Sequence, residues 1–465
     1  MSRVEGARCG WHGSRFGVVA NQQRMKLSAA LLLSLFCTLS LYAADLSDLT
    51  YTTTNGEVAI TDCDTTATGE LIIPTTIGGN PVTSIETGAF RGCAMLTVIT
   101  IPDHVTCIGE RAFRDCTDLT SLTIPSSVTD IGNGILEECP SLITIEVDAE
   151  NQNYTGLEGV LFNAEATILI VYPQAKTEHL YSIPDSVTTI VQRAFQGCNN
   201  LTVVTLPERL HTIGEHAFSE CRNLTRITIP DGVTRIQSGT FLNCTSLTAI
   251  ALPETLIGIG QGAFSRCSSL TDINIPQGVR AIIDFTFGNC TSLTTFTIPD
   301  NVTYIGAFAF YNCTGLTSMT IPEGVTTIGT QAFFRCTSLT SLTFRGPAPT
   351  TIYPGAFGRL ADGAVANIEE QFADSFGAAG SNWNGLILNF DRPVTITRCG
   401  FLNPTTFFIE FEPAGAGYRV MNSPTLDFEN AVEVTPALEP TTTGDNRFEF
   451  AVSGARNFYW LEPTQ

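Results

Sequence analysis

The chain has 465 residues, 43% apolar and 15% charged, with a formal charge of −21. That length exceeds what one ordinary core holds, and that composition belongs to a folded chain, so several domains or an elongated array is expected. Residues 1–44 carry five of the 24 cations and one of the 45 carboxylates, which leaves 19 basic against 44 acidic groups beyond them. Such a surface repels phosphate backbones and anionic headgroups, and nucleic acid is excluded as a partner.

Residues 1–24 show no periodicity and read as an extension upstream of a true start at Met25. Residues 25–44 read as a signal peptide, with Lys26, an apolar run from Leu27 to Leu41 and a small-residue exit at Ala43-Ala44. The run falls short of the ~20 residues that cross a bilayer, so no membrane span is expected after cleavage. The protein is therefore expected to be secreted or held at the cell surface. Residues 45–89 read as an N-terminal cap hairpin and first coil, because Asn55-Gly56 between alternating segments is a strong hairpin signal.

Residues 90–345 are periodic. Cysteine recurs every 23 residues at Cys93, Cys116 and Cys139, then from Cys198 through Cys221, Cys244, Cys267, Cys290 and Cys313 to Cys336. Three residues before it stands a phenylalanine, with Leu136 as the exception, and three after it a leucine. Apolar residues follow at six and eight, as in Leu122 and Ile124, and most units then have a proline, such as Pro125 or Pro230. A Val or Leu, an Ile and a Gly precede the Ala-Phe that closes the unit. The alternation after the leucine predicts a strand, and proline, which cannot donate to a ladder, predicts its end. The Val-x-x-Ile-Gly segment predicts a second short extended piece with glycine supplying the turn. Ala-Phe-x-x-Cys predicts a single helical turn or tight bend with Phe inward. One coil cannot bury these residues alone, whereas stacked coils bury them against identical neighbours. The expected fold is a mainly-β repeat solenoid with a parallel sheet. The cysteines would form a buried thiol ladder, with some bridged neighbours as the alternative, and Cys63, Cys107 and Cys399 fall outside it.

The unit, as in residues 113–132 (FRDCTDLTSLTIPSSVTDIG), resembles the bacterial surface-antigen leucine-rich repeat of the BspA-like type. The resemblance covers about residues 70–357 and departs at 146–182, an insertion with a hairpin-like stretch. It implies an exported protein concerned with adhesion and with binding host or matrix proteins. Residues 346–390 read as a C-terminal repeat cap containing Trp383, and residues 391–465 as a small β-sandwich-like module of short alternating strands.

Catalytic signatures are missing from the sequence. There is no Gly-x-Ser-x-Gly elbow, and Gly258-Ile-Gly260-Gln-Gly262 lacks the phosphate-loop pattern. Asp62-Cys-Asp64 opens like a calcium loop but has Ala67 where glycine is required. His104, His179, His211 and His216 show no ligand spacing. No enzyme activity, cofactor or metal is expected. The informative positions lie five and seven after each cysteine, on the solvent side of the main strand: Thr100, Ser121, Thr123, Thr205, Arg226, Thr228, Asp272, Asn274, Thr295, Thr297, Ser318 and Thr320. They form a hydroxyl-rich, nearly uncharged face on an acidic body. One reading is that threonine simply suits a stacked sheet. The other is a ligand face for an extracellular protein or glycan. A structural envelope or matrix component without a discrete ligand is the alternative function.

Overall fold

The computed structural model describes residues 43–378 and 380–391, and beyond them the strand segments 395–403, 406–412, 418–423, 432–433, 447–451 and 458–463. Apart from Ala43 and Ala44, the expected leader lies outside the described residues. Two compact units are present, Met1–Leu161 and Phe162–Gln465.

In the first unit, Leu49–Thr54 and Glu57–Cys63 form the expected antiparallel hairpin. Asn55 and Gly56 both have positive φ (55° and 84°), as a two-residue primed turn requires. From there the chain winds so that each coil gives one longer and one shorter strand to two parallel sheets. The longer strands are Gly69–Ile72, Leu96–Thr100, Ser121–Ile124 and Thr144–Val147, in the order of the chain. The second series starts long, with Glu57–Cys63 and Asn80–Ile85, and settles to two residues at Cys107–Ile108 and Asp130–Ile131. Asn151, at the start of the insertion, is buried with its amide fully used. It donates to Pro125 O (2.7 Å) and Val128 O (3.1 Å) and accepts from Asn153 N and Tyr154 N.

The second unit repeats the same plan. Longer strands Leu180–Ser182, Val203–Thr205, Arg226–Thr228 and Ala249–Ala251 form one parallel sheet. Ser318–Ile321, Ser341–Phe344, Val365–Glu369 and Leu386–Asp391 form another, closed at its last edge by antiparallel Asn382–Trp383. That antiparallel piece covers a row of backbone groups that would otherwise invite another strand. Trp383 packs there against Phe376, Phe344 and Phe357, with centroids at 4.8, 5.4 and 6.1 Å. Between the two sheets the coils at 270–275 and 293–298 are unpaired except for one bridge, Thr297–Thr320. Asp272 and Asn274, both poor strand formers, interrupt the ladder in the first of these coils. Beyond residue 391 lie two three-stranded antiparallel sheets. The first comprises Thr395–Asn403, Thr406–Glu412 and Arg447–Ala451. In the second, Tyr418–Ser423 pairs with both Val432–Glu433 and Phe458–Pro463.

Every interior position of the unit forms a column. Phe195, Phe218, Phe241, Phe264, Phe287, Phe310, Phe333 and Phe357 stack in succession, with centroids 4.9–5.7 Å apart and planes within 15°. Phe90 and Phe113 do the same in the first unit at 5.4 Å. The bend carrying them is hydrogen-bonded from coil to coil, as from Phe241 N to Ala263 O and from Phe310 N to Ala332 O. It is a series of tight turns, with left-handed residues one and five positions before the cysteine, such as Asn243 and His216. The glycine after the Ile has a different role from the one its position suggests. A Cβ on Gly132, Gly214 or Gly260 would strike the backbone of the preceding coil, so close approach excludes a side chain there. The turns themselves are supplied by positive-φ residues further on.

The cysteine ladder has a specific bond. From Cys221 to Cys336 each thiol donates to the carbonyl of the phenylalanine 26 residues earlier, in the preceding coil, at 3.0–3.2 Å, and Cys198 donates to Tyr172 O at 3.6 Å. Cys116 and Cys139 do the same with Phe90 and Phe113 at 3.1 Å. Cys63 has no 23-residue partner before it, and its own thiol donates to Asp64 O at 3.7 Å, but its carbonyl lies at the foot of the ladder. Cys93 Sγ lies 3.8 Å from both Cys63 O and Asp64 O, so the hairpin end stands in for a preceding coil. The twelve cysteines from Cys63 to Cys336 are free thiols.

Burial pushes Cys139, Cys221, Cys267 and Cys336 up to about 12. Unfolded thiols titrate near ~8.5. Above that pH the unfolded chain loses protons that the folded chain keeps, so stability is complete below it and falls as pH rises towards 12. The limiting slope is about 1.4 kcal/mol per pH unit for each such thiol. Urea midpoints under reductant should therefore fall from pH 8 to pH 10, and fall less steeply in Cys267→Ala. Midpoints independent of pH, or equal slopes in the two proteins, would contradict this.

Candidate functional site

The long strand sorts its side chains by period two. In Arg226–Thr228, Ile227 is buried at 3% exposure while Arg226 and Thr228 face solvent. The same holds along the rows expected from sequence. Thr100, Thr123, Thr205, Arg226, Thr228, Asp272, Asn274, Thr295, Thr297 and Ser318 are exposed, and Ser121 and Thr320 are half-buried. Pairing registers align these rows. Ser318 stands opposite Ser341 and Thr320 opposite Thr343, and Arg226 and Thr228 stand opposite Ala249 and Ala251. In the first unit, Ser121 and Thr123 stand opposite Thr144 and Glu146. Thr205, Arg226 and Thr228 come together around a shallow depression of about 370 Å³ that also holds Glu208. Asp272, Asn274, Thr295 and Thr297 lie in the two coils between the parallel sheets of the second unit.

Two populations of threonine are present, and they differ in what the hydroxyl does. The threonine directly after the repeat leucine donates to the carbonyl of its counterpart 23 residues earlier. Examples are Thr225 to Thr202 at 3.0 Å, Thr248 to Thr225 at 3.1 Å and Thr340 to Thr317 at 3.2 Å. These hydroxyls belong to the fold. Among the described residues, the hydroxyls of Thr123, Thr205, Thr228, Thr295 and Thr297 make no hydrogen bond within the chain, which leaves them to solvent or a ligand.

Asp64 is spent locally, accepting from Thr66 N and Oγ1 at 2.8 Å, and these bonds hold its carboxyl below the usual range. Among the described residues no group of three or more His, Cys, Asp or Glu could hold a metal ion. No helix among them is long and apolar enough to cross a membrane. Lys176, the one lysine beyond the leader, is buried and pairs with Glu178 at 3.2 Å. The positive-φ rows of the turn face were not singled out from sequence. Their signal is readable in retrospect, because the row five before the cysteine holds glycine or a polar residue in most coils but Phe285 and Phe308 in two.

Coils of one long and one short parallel strand, with leucine, isoleucine, phenylalanine and cysteine in interior columns, define a leucine-rich-type repeat solenoid. The BspA type leucine rich repeat region matches residues 83–163, 172–291 and 280–372 in six copies, and the chain belongs to that family. The chain is similar to a leucine-rich repeat protein from Eubacterium ventriosum, at 24% identity over 68% of this chain and 93% of that one, with a TM-score of 0.42. It is similar also to a leucine rich cell surface protein from Faecalibacterium prausnitzii, at 26% identity over 65% and 94%, with a TM-score of 0.41. A leucine-rich repeat protein from Bacteroides ovatus matches at 26% identity over 74% and 98%, again with a TM-score of 0.41. No curated protein matches the chain.

The two threonine populations should respond differently to loss of the hydroxyl. Thr225→Val should destabilise by about 0.5–1.5 kcal/mol, the net worth of one hydrogen bond. Thr228→Val should stay within about 0.5 kcal/mol of the parent. Urea unfolding of the two variants measures this, and equal effects would erase the distinction.

Proposed function

We propose that the chain is an exported bacterial surface protein that binds an extracellular protein or glycan along the long-strand face of its repeats. The observation that carries this reading is the exposed threonine rows, whose hydroxyls the fold leaves unused, on a body whose formal charge is −21. Membership of the BspA-type family supports it. So does the apolar run Leu27 to Leu41 behind Lys26, which has the make-up of an export leader. Residues 25–44 then serve export, residues 45–89 cap the first unit and 346–390 the repeats of the second, and residues 391–465 are a separate β module. The role proposed is one of binding: among the described residues the column thiols are engaged in the fold, and the strand face is made mainly of hydroxyls.

The test is saturable binding of the mature chain to panels of purified matrix proteins and printed glycans, comparing it with Thr228→Asp/Thr297→Asp. Binding by the parent that falls at least about tenfold in the double variant supports the strand face. Equal binding by both moves the site elsewhere. No saturable partner would favour a structural envelope or matrix component instead.

A further inference from the structure

The turn face of the second unit contains a cleft with a definite construction. Five residues before each column cysteine, the backbone is left-handed, and over five consecutive coils this row reads His216, Gly239, Gly262, Phe285 and Phe308, with φ of 55–60°. Two adjacent coils therefore contribute no side chain, and an opening of about 520 Å³ lies over them. The Phe285 ring closes one end. The His216 imidazole closes the other, lying over Gly239 so closely that a Cβ there would meet its Cε1 and Nδ1. Over Gly262 a Cβ would find only the Ser265 Cβ within 4 Å, at 3.9 Å.

Phe285 is anomalous on two counts. A side chain at positive φ carries a steric cost that glycine does not incur. Elsewhere among the described residues this conformation is taken by glycine, polar residues or Ala166, with Phe308 the one further exception. A buried phenyl would offset that cost, but Phe285 is 39% exposed. It is backed by Phe308, one coil on, at 4.6 Å and 9° between planes. A rigid aromatic platform is thus held facing an opening, 39% exposed and in a backbone conformation that glycine takes more readily. Strain of that kind points to use of the surface.

The rim specifies what the platform meets. Gln261, Asn243 and Arg266 line the opening, and their side chains engage no other group among the described residues. Glu220, also on the rim, already pairs with Arg222 at 2.8 Å, so no free carboxylate dominates the site. Amide and guanidinium groups around an aromatic wall offer both donors and acceptors to a neutral, polyhydroxylated ring. An apolar peptide side chain would leave them unpaired on burial. The volume lies within the ~300–1,000 Å³ range of small-ligand sites.

We propose that this cleft binds one neutral hexopyranose unit of a glycan, with the sugar's C–H face on the Phe285 ring and its hydroxyls bonded to Gln261, Asn243 and Arg266. The site lies on the turn face, is separate from the threonine rows, and does not rest on the reading given to them.

The probe is a printed array of neutral hexose and N-acetylhexosamine oligosaccharides, followed by calorimetry with the best binder. Phe285→Gly restores the residue that Gly239 and Gly262 already place in this row, so its melting temperature should equal or exceed that of the parent while affinity falls about tenfold. Gln261→Ala should weaken binding several-fold, and Thr228→Asp/Thr297→Asp should leave it unchanged. Absence of binding to any neutral oligosaccharide overturns the proposal. So does parent-like affinity in Phe285→Gly, or sugar binding that the threonine-row variant abolishes and Phe285→Gly does not.

Discussion

A single 23-residue coil of this protein has an interior side but nothing of its own to cover it. Phenylalanine, leucine, isoleucine and cysteine point inward in every turn, and only an identical turn above and below removes them from water. The backbone must therefore repeat at a spacing set by strand pairing, ~4.8 Å, and every interior residue must tolerate its own copy at that distance. Phenylalanine satisfies this by stacking near-parallel. Glycine after the isoleucine satisfies it by having no Cβ where the preceding coil's backbone passes. Cysteine satisfies it by donating its thiol to the phenylalanine carbonyl of the preceding coil. That carbonyl also accepts the amide of its own coil's cysteine, as Phe218 O does from Cys221 N and Cys244 Sγ.

The parts of this plan that were legible in sequence are those written as side-chain type at a fixed interval. Cys93 to Cys139 and Cys198 to Cys336 announce the columns, the alternation around Ile227 announces which side of the strand is wet, and Asn55-Gly56 announces the hairpin. What was not legible depends on what backbone does in the neighbouring coil. Gly260 looks like a turn residue until its neighbour's backbone is seen beside it. Cys63 breaks the 23-residue interval, yet its carbonyl lies 3.8 Å from the Cys93 thiol, because a hairpin delivers it to the end of the ladder. Asn151 replaces turn contacts from within an irregular stretch and shares no spacing with anything else. The break in pairing at Asp272 and Asn274 needs the cumulative weakness of two poor strand formers, which a single-residue pattern does not reveal.

The same separation explains how such a fold acquires function. Inward columns are constrained by their own copies, whereas outward rows are free to vary coil by coil without disturbing the core. The exposed rows at Thr205, Thr228 and Thr297 were identifiable because period two assigns them to solvent. The opening between His216 and Phe285 was not, because it is made by two glycines that lack side chains and by rings from coils 69 residues apart in sequence. Function in such an array is written as a departure from the row, so the residues to look for are those that break an outward pattern at a cost.

The claim beneath all of this is that the column thiols are buried hydrogen-bond donors, free of disulfides and closed to solvent. Alkylation of the mature chain with iodoacetamide, native and denatured, read by intact mass and peptide mapping, addresses it directly. The account predicts no modification from Cys198 through Cys336 in the native protein, and full modification after denaturation without any reductant. Rapid native labelling along the column, or thiols that appear only after reduction, would contradict it.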